Sequence, residues 1–97
     1  MNTKVETILK EILEERKYQA DKFANGNEDE LLSVDLKNNT PNDFVSYISH
    51  YSTTWFTGGF GPWSKDVLLQ FRKSMIKTAT LAIGAIIWVD AKIDELE

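Results

Sequence analysis

The chain has 97 residues, enough for one small domain and too few for a second core. With 42% apolar and 27% charged residues it is globular in composition, outside the disordered class, and with no cysteine it has neither a disulfide framework nor a thiolate metal site. The net charge of -4, from 15 acidic and 11 basic residues scattered among one another, argues against duplex nucleic acid as a partner, since phosphate binding needs a concentrated basic face.

The absence of thiols fits a reducing cytosol, and the opening Met1-Asn2-Thr3-Lys4-Val5-Glu6 offers no apolar core of the kind a signal peptide needs. A cytoplasmic protein is therefore expected. The longest uncharged stretch, Thr78 to Val89, is about half of a membrane span. It reads as a buried helix segment.

In chain order, Val5, Ile8, Leu9, Ile12, Leu13, Ala20 and Phe23 recur at three- and four-residue spacing. The pattern predicts an amphipathic helix over residues 3–24, stopped by Asn25-Gly26. Residues 25–39 read as a polar connection, with Leu31, Leu32, Val34 and Leu36 pinning it to the core. A second helix starts at Thr40-Pro41-Asn42-Asp43, where Thr40 caps, Pro41 takes the first turn and Asp43 meets the positive end of the dipole. Phe44, Tyr47, Ile48, Tyr51 and Trp55 form its stripe to about Thr57, before Gly58-Gly59-Phe60-Gly61-Pro62-Trp63 breaks the pattern.

Ser64 caps a third, long helix over residues 65–95. No segment alternates with the period of a strand. The expected fold is all-α, one domain over 1–97: a three-helix bundle with a long C-terminal helix.

In that helix Leu68, Phe71, Met75, Ala79, Ala82, Ile83, Ile86, Val89 and Ile93 read as the core stripe. The opposite face is polar at Gln70, Lys73, Ser74 and Lys77, then apolar at Leu81, Gly84 and Trp88. A helix apolar all round has to be covered on both sides, and two other short helices hardly suffice. Small Ala82, Gly84 and Ala85 admit close approach. The reading is a homo-oligomer; the alternative is that the first helix or residues 25–39 wrap around it.

Arg16 extends the first helix's apolar stripe, with Gln19 on its flank. A buried guanidinium needs a partner: either an internal ion pair with Asp90, Asp43 or Glu15, or a phosphate or carboxylate in a pocket. Arg72 edges the long helix's stripe, with Asp90 on the same flank five turns later. Glu11, Tyr18 and Lys22 line up on the polar side of the first helix, where a tyrosine beside a lysine suits a base and a phosphate or simply faces solvent. Trp55, Phe56, Phe60 and Trp63 surround three glycines, either as a stacking surface or as a plug at the bundle's corner. His50, the one histidine, cannot anchor zinc alone. No catalytic triad spacing, EF-hand or glycine-rich phosphate loop is present.

The first helix carries Glu11-Ile12-Leu13-Glu14-Glu15-Arg16-Lys17-Tyr18-Gln19-Ala20-Asp21-Lys22-Phe23, of the form E-I-x-x-E-R-x-x-Q-x-x-K-F. It resembles the opening of small, mostly phage-borne, all-α proteins described as MazG-like. Phe71 to Ala82 is similar to their later helix, and Asn42 to Ile48 takes the place of a shared aromatic helix. In the catalytic branch of that superfamily, E-x-x-E and E-x-x-D helices hold magnesium, which activates water against a nucleoside triphosphate. Here the second helix has Asp43 alone, and Glu11-x-x-Glu14 stands in the first helix, not in the metal-binding one.

This departure points away from hydrolysis. The resemblance then implies a non-catalytic, phage-type accessory protein, without cofactor, that binds or sequesters a nucleotide-derived ligand. By analogy with phage-encoded helical oligomers, that ligand would be a cyclic nucleotide immune signal, taken up as counter-defence. Arg16, Lys22 and Arg72 would hold phosphates, Gln19 would assist, and Tyr18, Trp55, Phe60 and Trp63 would contact bases. The competing expectations are a magnesium-dependent pyrophosphohydrolase using Glu11, Glu14, Glu15 and Asp90 or Asp94, and a helical protein-binding adaptor acting through Trp63.

Overall fold

The computed structural model describes residues 3–53 and 64–97, which fold into four α-helices. They are α1 Thr3–Ala24, α2 Glu28–Asn38, α3 Pro41–Thr53 and α4 Lys65–Leu96. All-α therefore holds, and the expected three-helix count is corrected to four. The addition is α2, inside the segment read as a polar connection. Its signals are local: Asn27 caps by accepting from the Glu30 backbone N–H at 3.0 Å, acids fill the first turn and Lys37 the last.

The other boundaries follow the chemistry read from the chain. Asn25 and Gly26 both take left-handed backbone, φ 54 and 77, a conformation glycine adopts without cost. The Gly26 N–H bonds the Ala20 carbonyl at 2.9 Å and closes α1. At the start of α3, Thr40 and Asp43 cap reciprocally: the Thr40 N–H donates to Asp43 Oδ2 at 2.7 Å and the Asp43 N–H to Thr40 Oγ1 at 3.4 Å. Ser64 caps α4 through Val67 N–H at 3.2 Å. The expected continuation of α3 to Thr57, with Trp55, lies outside the described residues.

The helices α1 and α2 form an antiparallel hairpin whose seam is Ala20, Ala24 and Leu31. The third and fourth helices pack against each other through Phe44 and Trp88, ring centroids 6.0 Å apart, with Tyr51 under the Lys77 ammonium at the other end. On α1 the buried positions are Ile12, Arg16, Ala20 and Ala24, one residue per turn. Val5, Ile8, Leu9, Leu13 and Phe23, read as core, are exposed. Among the described residues, the stripe's first half is left largely uncovered.

The larger correction concerns α4. Its buried residues are Ser74, Thr80, Gly84 and Trp88, on the face read from the sequence as the outer one. Leu68, Phe71, Ile86, Val89 and Ile93 of the expected core stripe are exposed, and Met75, Ala79, Ala82 and Ile83 are half-buried. Ser74, Thr80 and Gly84 are small enough to admit a close neighbour, while Trp88 packs on Phe44 of α3; the methyl-rich stripe lies roughly 150° around the helix at 100° per residue. The stretch Thr78 to Val89 is thus buried on one side only. Among the described residues α4 is also long and apolar enough, by length and composition, to cross a membrane, a test that core helices of soluble proteins pass too.

Candidate ligand-binding site

The four helices do not close on one another completely. Between them lies a cavity of about 480 Å³, within the size range of small-molecule sites. Helix α1 contributes Arg16, Gln19 and Phe23; α2 and its C-terminal end contribute Leu31, Val34, Asp35, Asn38 and Asn39; α3 contributes Phe44, Tyr47 and Tyr51; α4 contributes Leu81 and Gly84. Four aromatic side chains wall it, and its polar groups gather on α1 and α2.

Arg16 is the most informative of these. It is only 8% exposed. Its Nε donates to Glu28 Oε1 at 2.7 Å, so the partner is none of Asp90, Asp43 or Glu15: α2, unforeseen in the sequence, brings Glu28 over α1. The pairing is one-sided. Arg16 Nη2 is buried with no hydrogen-bond partner, a costly arrangement for a guanidinium nitrogen.

The guanidinium lies against α4 at a position where that helix has no side chain. A Cβ built on Gly84 would stand 2.8 Å from Arg16 Nη1.

Across from it runs a fixed polar chain. Tyr47 Oη donates to Asn39 Oδ1 at 3.0 Å, and Asn39 Nδ2 donates to Asp35 Oδ1 at 2.9 Å. Burial pushes the Asp35 carboxyl above its ordinary 3.8, against the lowering pull of the Arg16 charge and the Asn39 amide; the Glu28 carboxylate adds to the rise. The cavity's lining thus includes a residue with an under-bonded cation, an acid that ionises reluctantly and several rings.

Of the residues singled out from the sequence, Arg16 and Gln19 line this cavity. Tyr18 and Lys22 do not. They line a shallow cleft of about 70 Å³ next to it, with Glu15, Lys77, and the shared Gln19, Phe23 and Tyr51. Lys22 Nζ sits 5.2 Å from the Phe23 ring centroid and 6.0 Å from that of Tyr18, so the cations stand at the cavity's rim. Arg72 is elsewhere, bonded through Nη2 to Glu11 Oε2 on the surface. Trp55, Phe60 and Trp63 lie outside the described residues.

Sequence reasoning passed over Asp35, Asn38 and Asn39 because it did not see α2. Tyr47 and Tyr51 were legible as an inward stripe, though as core and not as cavity wall. Among the described residues no three histidine or carboxylate side chains converge as a cation site would require, and Glu11 of the metal-dependent reading is held by Arg72. No protein family matches the chain, and no curated protein or solved structure shows detectable similarity to it.

Proposed function

We propose that this chain is a non-catalytic binding protein that holds, and thereby sequesters, a nucleotide-derived ligand in the cavity between its four helices. It acts as a homo-oligomer in the cytoplasm and needs no metal ion. The reading extends to a phage-type accessory role in which a cyclic nucleotide of bacterial immune signalling is the ligand taken up as counter-defence.

The observation that carries it is Arg16, a buried cation among the residues that line a ring-walled cavity, with its Nη2 left without a hydrogen-bond partner. Buried polar atoms are paired as a rule, and an anionic oxygen is the acceptor that suits a guanidinium best. The walls at Phe23, Phe44, Tyr47 and Tyr51 suit a flat ring attached to that anion. Lys22 and Lys77 at the rim favour further negative charge.

The test is a thermal-shift panel of linear and cyclic nucleotides, with and without magnesium, followed by chromatography of each ligand that shifts the transition. A ligand that binds only the folded state raises the melting temperature. Stabilisation without magnesium, intact recovery of the ligand and loss of the shift in Arg16→Met are the expected results. Cleavage that needs magnesium would instead restore the pyrophosphohydrolase. No shift with any nucleotide would end the binding reading in favour of a protein-binding adaptor.

A further inference from the structure

The outward stripe of α4 has a symmetry that the cavity does not use. Leu68, Met75, Ala79, Ala82, Ile86 and Ile93 share one face of the helix, within about 40° of a common line at 100° per residue. Their order reads nearly the same from either end: large, large, small, small, large, large. Turned about a point between residues 80 and 81, Leu68 falls on Ile93, Met75 on Ile86 and Ala79 on Ala82.

The charges follow the same turn. The first half of α4 is basic, with Lys65, Arg72, Lys73 and Lys77 against Asp66, and the second half is acidic, with Asp90, Asp94 and Glu95 against Lys92. Arg72 and Asp90 stand on the same flank of the stripe, about five turns apart. In an antiparallel pair of helices, residues on the same flank face each other across the seam.

We propose that two copies of this chain pair antiparallel through the outer stripe of α4, with the two-fold axis at the Ala79–Ala82 midpoint and Arg72 of each copy facing Asp90 of the other. The proposal rests on the self-association part of the reading above and not on its ligand. A two-fold interface uses one patch twice, which is what the near-palindromic order supplies. The paired alanines let the backbones close at the centre while the larger residues fill the ends. Arg72, held by Glu11 of its own chain, keeps 50% of its side-chain surface exposed and has donors left for a second carboxylate.

The test is sedimentation equilibrium of the intact chain without detergent, joined to cysteine cross-linking, for which the cysteine-free sequence is suited. The expected mass is twice 11.1 kDa. Ile86→Glu is expected to be monomeric with its helical circular dichroism kept. The double variant Leu68→Cys/Ile93→Cys is expected to cross-link through both ends, and neither single variant to do so.

Mixing Arg72→Asp chains with Asp90→Arg chains is expected to recover dimers that each alone forms at least tenfold more weakly. A monomeric wild-type chain, cross-linking of the single variants, or a dimer that survives Ile86→Glu would each overturn the proposal. A nucleotide-dependent thermal shift that persists in a monomeric wild-type chain would sink the dimer and leave the binding reading standing.

Discussion

Gly84 on α4 lies under the Arg16 guanidinium so closely that a single methyl group there would meet Nη1 at 2.8 Å. One residue without a side chain therefore decides where the buried cation of α1 sits. In Gly84→Ala the guanidinium has to shift, although the substitution favours the helix by about 1 kcal/mol. The two effects offset in stability but not at the cavity. Thermal denaturation is expected to stay close to wild type, while affinity for an anionic ligand falls roughly tenfold, the equivalent of one charge-assisted hydrogen bond. Unchanged affinity in isothermal titration would detach Gly84 from the site.

Arg16 itself separates charge from fold. Its partner Glu28 keeps 51% of its side-chain surface exposed, so removing the cation strands no buried carboxylate at that position. Keeping Arg16 Nη2 buried without a partner is itself costly, which an apolar residue of similar length avoids. Arg16→Met is expected to keep its urea midpoint near wild type and to lose ligand binding. Arg16→Lys keeps a positive charge without the planar fork and is expected to bind measurably more weakly than wild type. A Met variant that binds as wild type does would move the anion site elsewhere.

Asp35 gives the cavity a pH dependence. Burial raises its carboxyl above 3.8, so the folded chain holds that proton more tightly than the unfolded chain does. Its contribution to stability is present in full below 3.8 and is lost as pH rises through the raised folded value. Asp35→Asn removes the ionisation while keeping an oxygen for the Asn39 amide. Relative to wild type, the variant is expected to gain stability as pH increases from acid to neutral. Parallel stability curves across that range would contradict the sign.

The contact between α3 and α4 rests on Phe44, which is 5% exposed, packed at a tilt on Trp88 and edge-on to Tyr47 at 6.4 Å. Phe44→Ala is expected to cost about 3–5 kcal/mol, a large share of the roughly 5–15 kcal/mol of a domain this size. Val45, its exposed neighbour, is the control: Val45→Ala is expected to stay within about 0.5 kcal/mol. Urea titration followed by circular dichroism checks both.

What the sequence by itself determined was local. Periodicity set α1 and α4 over nearly their whole lengths. The caps at Thr40 and Ser64 and the stop at Asn25-Gly26 were readable because capping depends on residues within one helical turn. Arg16 was legible as an inward cation for the same reason, since it extends a four-residue repeat.

Which face of α4 turns inward was decided only by the tertiary structure. Both faces of that helix are apolar over its second half, and periodicity marks a stripe without saying what covers it. Close approach of α1 and α3 selected the side with Ser74, Thr80 and Gly84, where backbones can come near, and left the methyl-rich stripe outside. The partner of Arg16 was out of reach of the sequence for a related reason. Glu28 sits twelve residues away on a short helix, and folding of the α1–α2 hairpin is what brings the two together.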